Sequence, residues 1–156
     1  MKLRTLFFIP AVVTFIAITG AAIQQTDLCD SKALKENAKA KLDPFKYDSG
    51  KVTRIMYKNK NQMKEIEVPV FIGERYRFVF NMEGITRDVI VNIYNKDKES
   101  KNRKVIWSSK DAKATDKMYV FEPDAAKFKF YVDYDIPAVK DSLPAAECLV
   151  FMLGYK

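Results

Sequence analysis

The chain contains no histidine, which limits the catalytic chemistry that its residues can assemble. Histidine is the usual general base near neutral pH, a common metal ligand and the partner that activates most serine and cysteine nucleophiles. Ser108, Ser109 and Lys110 carry the groups of a serine–lysine pair, but neighbours at the end of a predicted strand are typical of a turn. We therefore predict a protein that is not an enzyme, with no catalytic residue and no cofactor.

Asp133 and Asp135 are the carboxylates whose spacing could bind a metal ion. On a strand they would share one face, about 7 Å apart. Calcium takes about six to eight oxygen ligands, and Asp141 or Glu147 could supply more from the adjoining loop. Two carboxylates fill few of those positions. A solvated strand end is therefore the expected reading, and we predict no metal site.

A basic patch is the candidate binding face. Arg75 and Arg77 should project from one face of a predicted strand, and 127–131 carries two lysines and Tyr131 on the polar face of another. If the two strands adjoin, these groups could hold an acidic glycan, a lipid head group or a protein carboxylate. The ordinary solvated side of a sandwich explains the same alternation. Trp107 could add a sugar-stacking ring, although a partly buried core position is expected.

The first 22 residues follow the order of a secretory signal. Two basic residues precede an apolar run over 6–18, and small residues follow at 20–22. We expect cleavage after Ala22, and Pro10 argues against the alternative of an uncleaved anchor. The mature protein is thus predicted to be periplasmic or secreted, with the membrane a partner only during export.

Charge and cysteine content fit that destination. The 27 Lys and Arg residues include two within 1–22, so 25 would remain against 20 Asp and Glu, a net charge of +5. This is mildly basic with both signs interspersed, and no nucleic-acid partner is predicted. Cys29 and Cys148 lie far apart in a compartment where thiols oxidise, so we expect a disulfide; the alternative is two buried thiols.

Hydrophobic periodicity predicts one helix followed by strands. Leu34, Ala38 and Leu42 recur every four residues, which indicates a helix from Ser31, its expected cap, to about Leu42. From 51 onward, short runs rich in Val, Ile, Phe and Tyr indicate eight strands. They are 52–58, 65–71, 75–81, 89–95, 105–108, 117–122, 127–135 and 148–155.

These elements predict a mainly β fold, a two-sheet antiparallel sandwich of jelly-roll-like size with an N-terminal helix, rather than a barrel. The domains are a signal peptide at 1–22, a helix and connecting loop at 23–50, and the sandwich at 51–156. The last strand is apolar on both faces and should be central. Pro69 marks an edge or a bulge. Gly73 predicts a hairpin between the second and third strands, and 96–104 a solvated loop.

Residues 66–155 resemble the small extracytoplasmic β-sandwiches of the GOLD and pre-peptidase C-terminal kinds. The shared features are a turn like Gly73 and Glu74, an alternating aromatic strand, and a strand end like Ile93 and Tyr94. GOLD-type cargo proteins continue into a membrane span, whereas this sequence stops at Lys156, so their trafficking role is not transferred. The whole chain also resembles small uncharacterised exported proteins of Gram-negative bacteria.

The expected function is an exported, non-enzymatic β-sandwich that binds an envelope protein or an acidic glycan. Its speculative binding face consists of Arg75, Arg77, Trp107 and Tyr131. The alternative is a structural or assembly accessory of the cell envelope that acts by edge-strand pairing, through the strand with Pro69. A histidine-free hydrolase is the least favoured reading.

Overall fold

The computed structural model describes residues 29–124, 127–140 and 146–156. The predicted signal peptide at 1–22 and Asp141 lie outside these ranges. Within them there is one helix, and at ten residues it is too short to cross a membrane.

The helix, α1 (Ser31–Ala40), lies over the outer face of the first sheet. Asp30 caps it, because its carboxylate accepts hydrogen bonds from the backbone N–H groups of Lys32 at 3.2 Å and Ala33 at 3.1 Å. The expectation of Ser31 as the cap was wrong by one residue. The buried side of α1 carries Leu34 and Ala38. The helix ends before Leu42, but that side chain still packs in the same cluster.

Eight strands form two four-stranded antiparallel sheets, which confirms the mainly β, two-sheet sandwich. Sheet 1 has the order β1-β8-β3-β6, and sheet 2 has the order β2-β7-β4-β5. The strands are β1 (Lys46–Ile55), β2 (Gln62–Pro69), β3 (Tyr76–Asn81), β4 (Ile90–Tyr94), β5 (Val105–Ser108), β6 (Met118–Phe121), β7 (Lys129–Ile136) and β8 (Glu147–Tyr155).

The first strand begins earlier than expected. β1 starts at Lys46, inside the stretch 23–50 that was assigned to a helix and a connecting loop. It is an edge strand, and its first six residues are exposed. Exposed edge positions need no apolar alternation, so hydrophobic periodicity could not reveal this part of the strand.

The last strand lies centrally and is buried on both faces, as predicted. β8 sits between β1 and β3, and one face packs into the core between the sheets with Leu149, Phe151 and Leu153. The other face, with Val150 and Met152, packs under α1. The two faces of one strand therefore belong to two separate hydrophobic clusters.

The predicted hairpin at Gly73 is wrong. β2 pairs with β7 in sheet 2, whereas β3 pairs with β8 and β6 in sheet 1. The turn at Gly73, where φ is +103°, therefore connects the two sheets. The apolar faces of β2 and β3 oppose each other across the core. Pro69 does lie on an edge strand, as predicted.

A disulfide joins Cys29, just before α1, to Cys148 in β8, as expected from the sequence. It fastens the helix to the central strand, and 119 residues separate the two cysteines. Such a bridge is compatible with an oxidising, extracytoplasmic location.

We predict that Cys29→Ala/Cys148→Ala lowers the free energy of unfolding by about 3 to 5 kcal/mol, because the unfolded chain regains the freedom of a long loop. Urea denaturation of the variant and of the oxidised wild type measures this loss. The wild type denatured under reducing conditions is the control and should show a similar loss. A loss below about 1 kcal/mol would contradict the role of the bridge as the main fastening of α1.

Candidate functional site

The expected basic patch does not form as one sheet face, because its two strands lie in different sheets, although Arg75 and Lys127 line one cleft at an end of the sandwich. Arg77 belongs to β3 in sheet 1, and Tyr131 belongs to β7 in sheet 2. Arg75 directly precedes β3 and is exposed. The sequence alone could not foresee this, since adjacency depends on which strands pair.

Arg77 serves the fold, because its guanidinium is engaged by surrounding groups. It donates to the carboxylate of Glu122 at 2.6 Å and to the backbone carbonyl of Asp43 at 2.5 Å. Its guanidinium carbon lies 4.4 Å from the centre of the Phe45 ring. The side chain therefore ties the segment after α1 to sheet 1.

Trp107 is a partly buried core residue, in agreement with the expectation that weighed against sugar stacking. Its ring stacks on Phe80 with 5.6 Å between centroids, and it also contacts the rings of Tyr119 and Phe121. These contacts close the core on the side of β5 and β6. The ring faces that would hold a sugar are thus occupied by neighbouring aromatic residues.

Asp133 is a buried ion-pair partner, so the reading of a solvated strand end is wrong for this residue. Its side chain is 3% exposed, and both carboxylate oxygens accept hydrogen bonds from Arg103, at 2.7 and 2.8 Å. Arg103 also donates to Glu65 at 2.7 Å. Sequence reasoning missed Arg103, since it assigned 96–104 to a solvated loop.

Arg103 folds the loop after β4 onto the outer face of sheet 2. Its guanidinium carbon lies 3.5 Å from the centre of the Tyr94 ring, and its Nε donates to the carbonyl of Lys96. Burial and the neighbouring Asp133 raise the pKa of Glu65, although Arg103 partly offsets this. The carboxylates of Glu65 and Asp133 thus share the guanidinium of Arg103.

The calcium hypothesis loses Glu147 as a ligand, while Asp141 lies outside the described residues. Asp135 lies beside Asp133 on the same face and accepts a hydrogen bond from the amide of Asn92 at 2.7 Å. Glu147 lies in β8 of sheet 1, where it is buried and accepts hydrogen bonds from the hydroxyl of Tyr57 at 2.5 Å and from the hydroxyl and N–H of Thr86. Across 29–124, 127–140 and 146–156, no acidic or cysteine group of three has the arrangement of a metal site.

The serine pair behaves as a turn, as expected. The hydroxyl of Ser109 accepts a hydrogen bond from the N–H of Val91 at 2.9 Å, and the hydroxyl of Ser108 accepts one from the N–H of Lys110 at 3.3 Å. Both oxygens therefore hold the backbone after β5. This local role accounts for the two serines without catalysis.

One edge of the sandwich leaves a groove between β1 and β2. Its lining includes Lys51, Ile66 and Phe151. Lys51 of β1 lies opposite Phe151 of β8 in the register, so its side chain is on the same inward face of sheet 1 as Phe151. From β2, the amine of Lys64 donates a hydrogen bond to the backbone carbonyl of Arg54 in β1, at 2.7 Å. Inward-pointing lysines are a common device that blocks pairing between sheet edges.

An exposed apolar surface lies at one end of the sandwich. Phe71 is 78% exposed, Ile72 57% and Phe128 73%. We call these three residues the apolar pole. The segments that carry them are joined by a hydrogen bond from the N–H of Val70 to the carbonyl of Phe128, 2.9 Å long. Sequence reasoning assigned Phe71 and Phe128 to strands with buried faces and did not single them out.

The fold and these groups define an antiparallel β-sandwich in which Phe71 and Phe128, the two most exposed large apolar side chains of the described residues, lie on two hydrogen-bonded segments. Comparison with protein-family models, with curated proteins and with solved structures finds no match to this chain.

We predict that Arg103→Met lowers the free energy of unfolding by about 3 kcal/mol, because it leaves the Asp133 carboxylate buried without its cation. Urea denaturation at neutral pH measures the change. Lys104→Met, which alters an exposed neighbour in the same loop, is the matched control and should change stability by less than about 0.5 kcal/mol. Equal effects of the two substitutions would contradict the role of Arg103.

We also predict a pH dependence that arises at Asp135. Burial and the Asp133 charge raise the pKa of Asp135 above its ordinary value of 3.8, so the folded state binds this proton more tightly than the unfolded chain. The carboxyl group therefore reduces stability progressively as pH rises above that value. The stability of Asp135→Asn relative to the wild type should therefore rise as pH increases from about 4 and level off once the folded carboxyl group is ionised. Urea denaturation over a pH series tests it, and a difference that never rises with pH, or that falls, would contradict it.

Proposed function

We propose that this protein is an exported, non-enzymatic β-sandwich that binds another component of the cell envelope through the apolar pole. The observation that carries the proposal is the exposure of Phe71, Ile72 and Phe128 on two hydrogen-bonded loops. Clustered exposed apolar side chains mark interaction sites in soluble domains. Loops held by a rigid sandwich are also where binding residues are usually found.

Export is supported by the signal-like order of 1–22 and by the disulfide between Cys29 and Cys148. These two features together support the proposed periplasmic or secreted location. A membrane-associated or wall-associated partner is then within reach of the folded domain.

The non-enzymatic reading is supported by how the groups capable of chemistry are used. Asp133 pairs with Arg103, and Glu147 accepts from Tyr57 and Thr86. Each carboxylate has a structural partner that accounts for it. The glycan form of the hypothesis is less favoured, because Arg77 and Trp107 are engaged in the fold.

The test compares the purified protein with Phe71→Ser/Phe128→Ser in sedimentation with the native envelope fraction. We expect the variant to lose at least about tenfold in association, the change for two large apolar side chains that no longer leave water. Met56→Ser/Met63→Ser, which alters two exposed apolar residues away from the pole, is the control and should bind like the wild type. Association that is unaffected by the pole substitutions would refute the proposal.

A second candidate is an assembly accessory that pairs through the free edge of β2. The N–H of Val70 points to β7, so in the continuous register the N–H groups of Met63, Glu65 and Glu67 point away from β7, toward the free edge. An extended partner segment could pair there. The inward lysines and Pro69 weaken this candidate relative to the pole.

Met63→Pro separates the two candidates, because it removes one outward N–H and leaves the hydrogen bonds to β7 intact. Edge pairing predicts that this variant loses envelope association while Met63→Ala retains it. Binding through the apolar pole predicts that both variants associate like the wild type. The same sedimentation assay decides between them.

A further inference from the structure

We propose that the component contacted by the apolar pole is the surface of a phospholipid bilayer, with a preference for zwitterionic head groups. This inference rests on the proposed function and specifies its partner. It is carried by three properties of the pole: its fixed, projecting shape, its balanced surrounding charge and its apolar content.

The pole is held out from the sandwich by hydrogen bonds at its base. The N–H of Phe71 donates to the hydroxyl of buried Tyr76 at 3.0 Å. The backbone groups of Arg75 and Lys156 exchange hydrogen bonds of 3.0 and 2.9 Å. Phe71 and Ile72 are therefore presented to solvent by a fastened turn, so ordering this turn adds little to the entropic cost of binding.

The tip of the pole at Ile72 is exposed, whereas Phe71 also lines a cleft with Arg75 and Lys127. Gly73, directly after Ile72, adopts a left-handed φ at the turn, and a Cβ added there would meet no atom within 4 Å. A protein partner would need a pocket shaped to this projection. The interfacial region of a bilayer admits apolar side chains without a preformed pocket.

The charges around the pole balance, which favours zwitterionic head groups over an anionic surface. In the described part of the chain, four cations and four anions flank it: Arg75, Lys127, Lys129, Lys156, Glu67, Glu74, Glu122 and Asp124. The Arg75 side chain is 74% exposed, although it lies 3.6 Å from Glu122. Cations can thus meet lipid phosphates while the carboxylates meet lipid ammonium groups.

The apolar content sets the expected strength. Two phenylalanines and one isoleucine carry roughly the apolar surface of a single acyl chain, which binds membranes reversibly with a constant of about 10⁴ M⁻¹. Weak, reversible docking of this order is expected from the pole alone.

The experiment is co-sedimentation of the purified protein with protein-free vesicles of phosphatidylcholine and phosphatidylethanolamine. We expect binding on the order of 10⁴ M⁻¹, and a loss of about tenfold for each of Phe71→Ser and Phe128→Ser. Raising the salt from about 0.1 M to about 1 M shortens the screening length from ~10 Å to ~3 Å and should change binding less than about twofold. Met56→Ser/Met63→Ser is the control and should bind normally.

A fluorescence variant adds a depth measurement. In Trp107→Phe/Phe128→Trp the single indole lies at the pole, and vesicles should shift its emission to shorter wavelength and allow quenching by brominated acyl chains. An indole that stays solvated in the presence of vesicles would overturn the proposal.

The remaining outcomes separate the inference from the function on which it rests. Binding only to anionic vesicles, abolished by salt, would overturn the preference for zwitterionic lipid. Absence of vesicle binding, with envelope association that still depends on the pole, would overturn the lipid inference, indicate a protein partner and leave the proposed function standing. Envelope association that does not depend on the pole would overturn both.

Discussion

The double burial of β8 is the constraint on which the rest of the structure depends. A strand that is apolar on both faces needs a cover on each side, since either face left in water would forfeit its hydrophobic stabilisation. Sheet 2 covers Leu149, Phe151 and Leu153, and α1 covers Val150 and Met152. The disulfide between Cys29 and Cys148 attaches α1, the smaller of these two covers, to β8. The helix therefore completes the sandwich.

The sequence predicted most of the elements, because alternation is a local signal. The run from Cys148 to Tyr155 revealed its central place through two apolar faces. The alternation in β3 revealed the face with Phe78 and Phe80 that packs into the main core, but not that Val79 on the other face is also buried, in the cluster under α1. Which strands pair with each other is not a local property of the sequence. Gly73 marks a turn whether β2 and β3 form a hairpin or belong to different sheets. Only the pairing of β2 with β7 decides that the chain crosses from one sheet to the other at this turn. Local pattern and turn chemistry do not contain that information.

The same limit explains which site residues were missed. Arg103 and Asp133 are 30 positions apart, and nothing in a lysine-rich loop distinguishes the one cation that folds onto a buried carboxylate. The patch of Arg75, Arg77 and Tyr131 failed because it assumed that two strands adjoin. Phe71 and Phe128 lie just outside the strands, since β2 ends at Pro69 and β7 begins at Lys129. Their exposure is thus a property of the three-dimensional packing.

One charged and one apolar side chain lie where the hydrophobic effect alone would not place them. Asp133 as a whole residue is 2% exposed, whereas Phe71, two residues after the end of β2 at Pro69, projects into solvent. The buried carboxylate is accounted for by Arg103, which supplies two hydrogen bonds and a counter-charge. The hydrogen-bonded turn after β2 holds Phe71 and Ile72 in water without a comparable partner among the described residues. Under the proposed function, burial of these side chains against a surface outside the chain would supply the hydrophobic stabilisation that the turn forgoes.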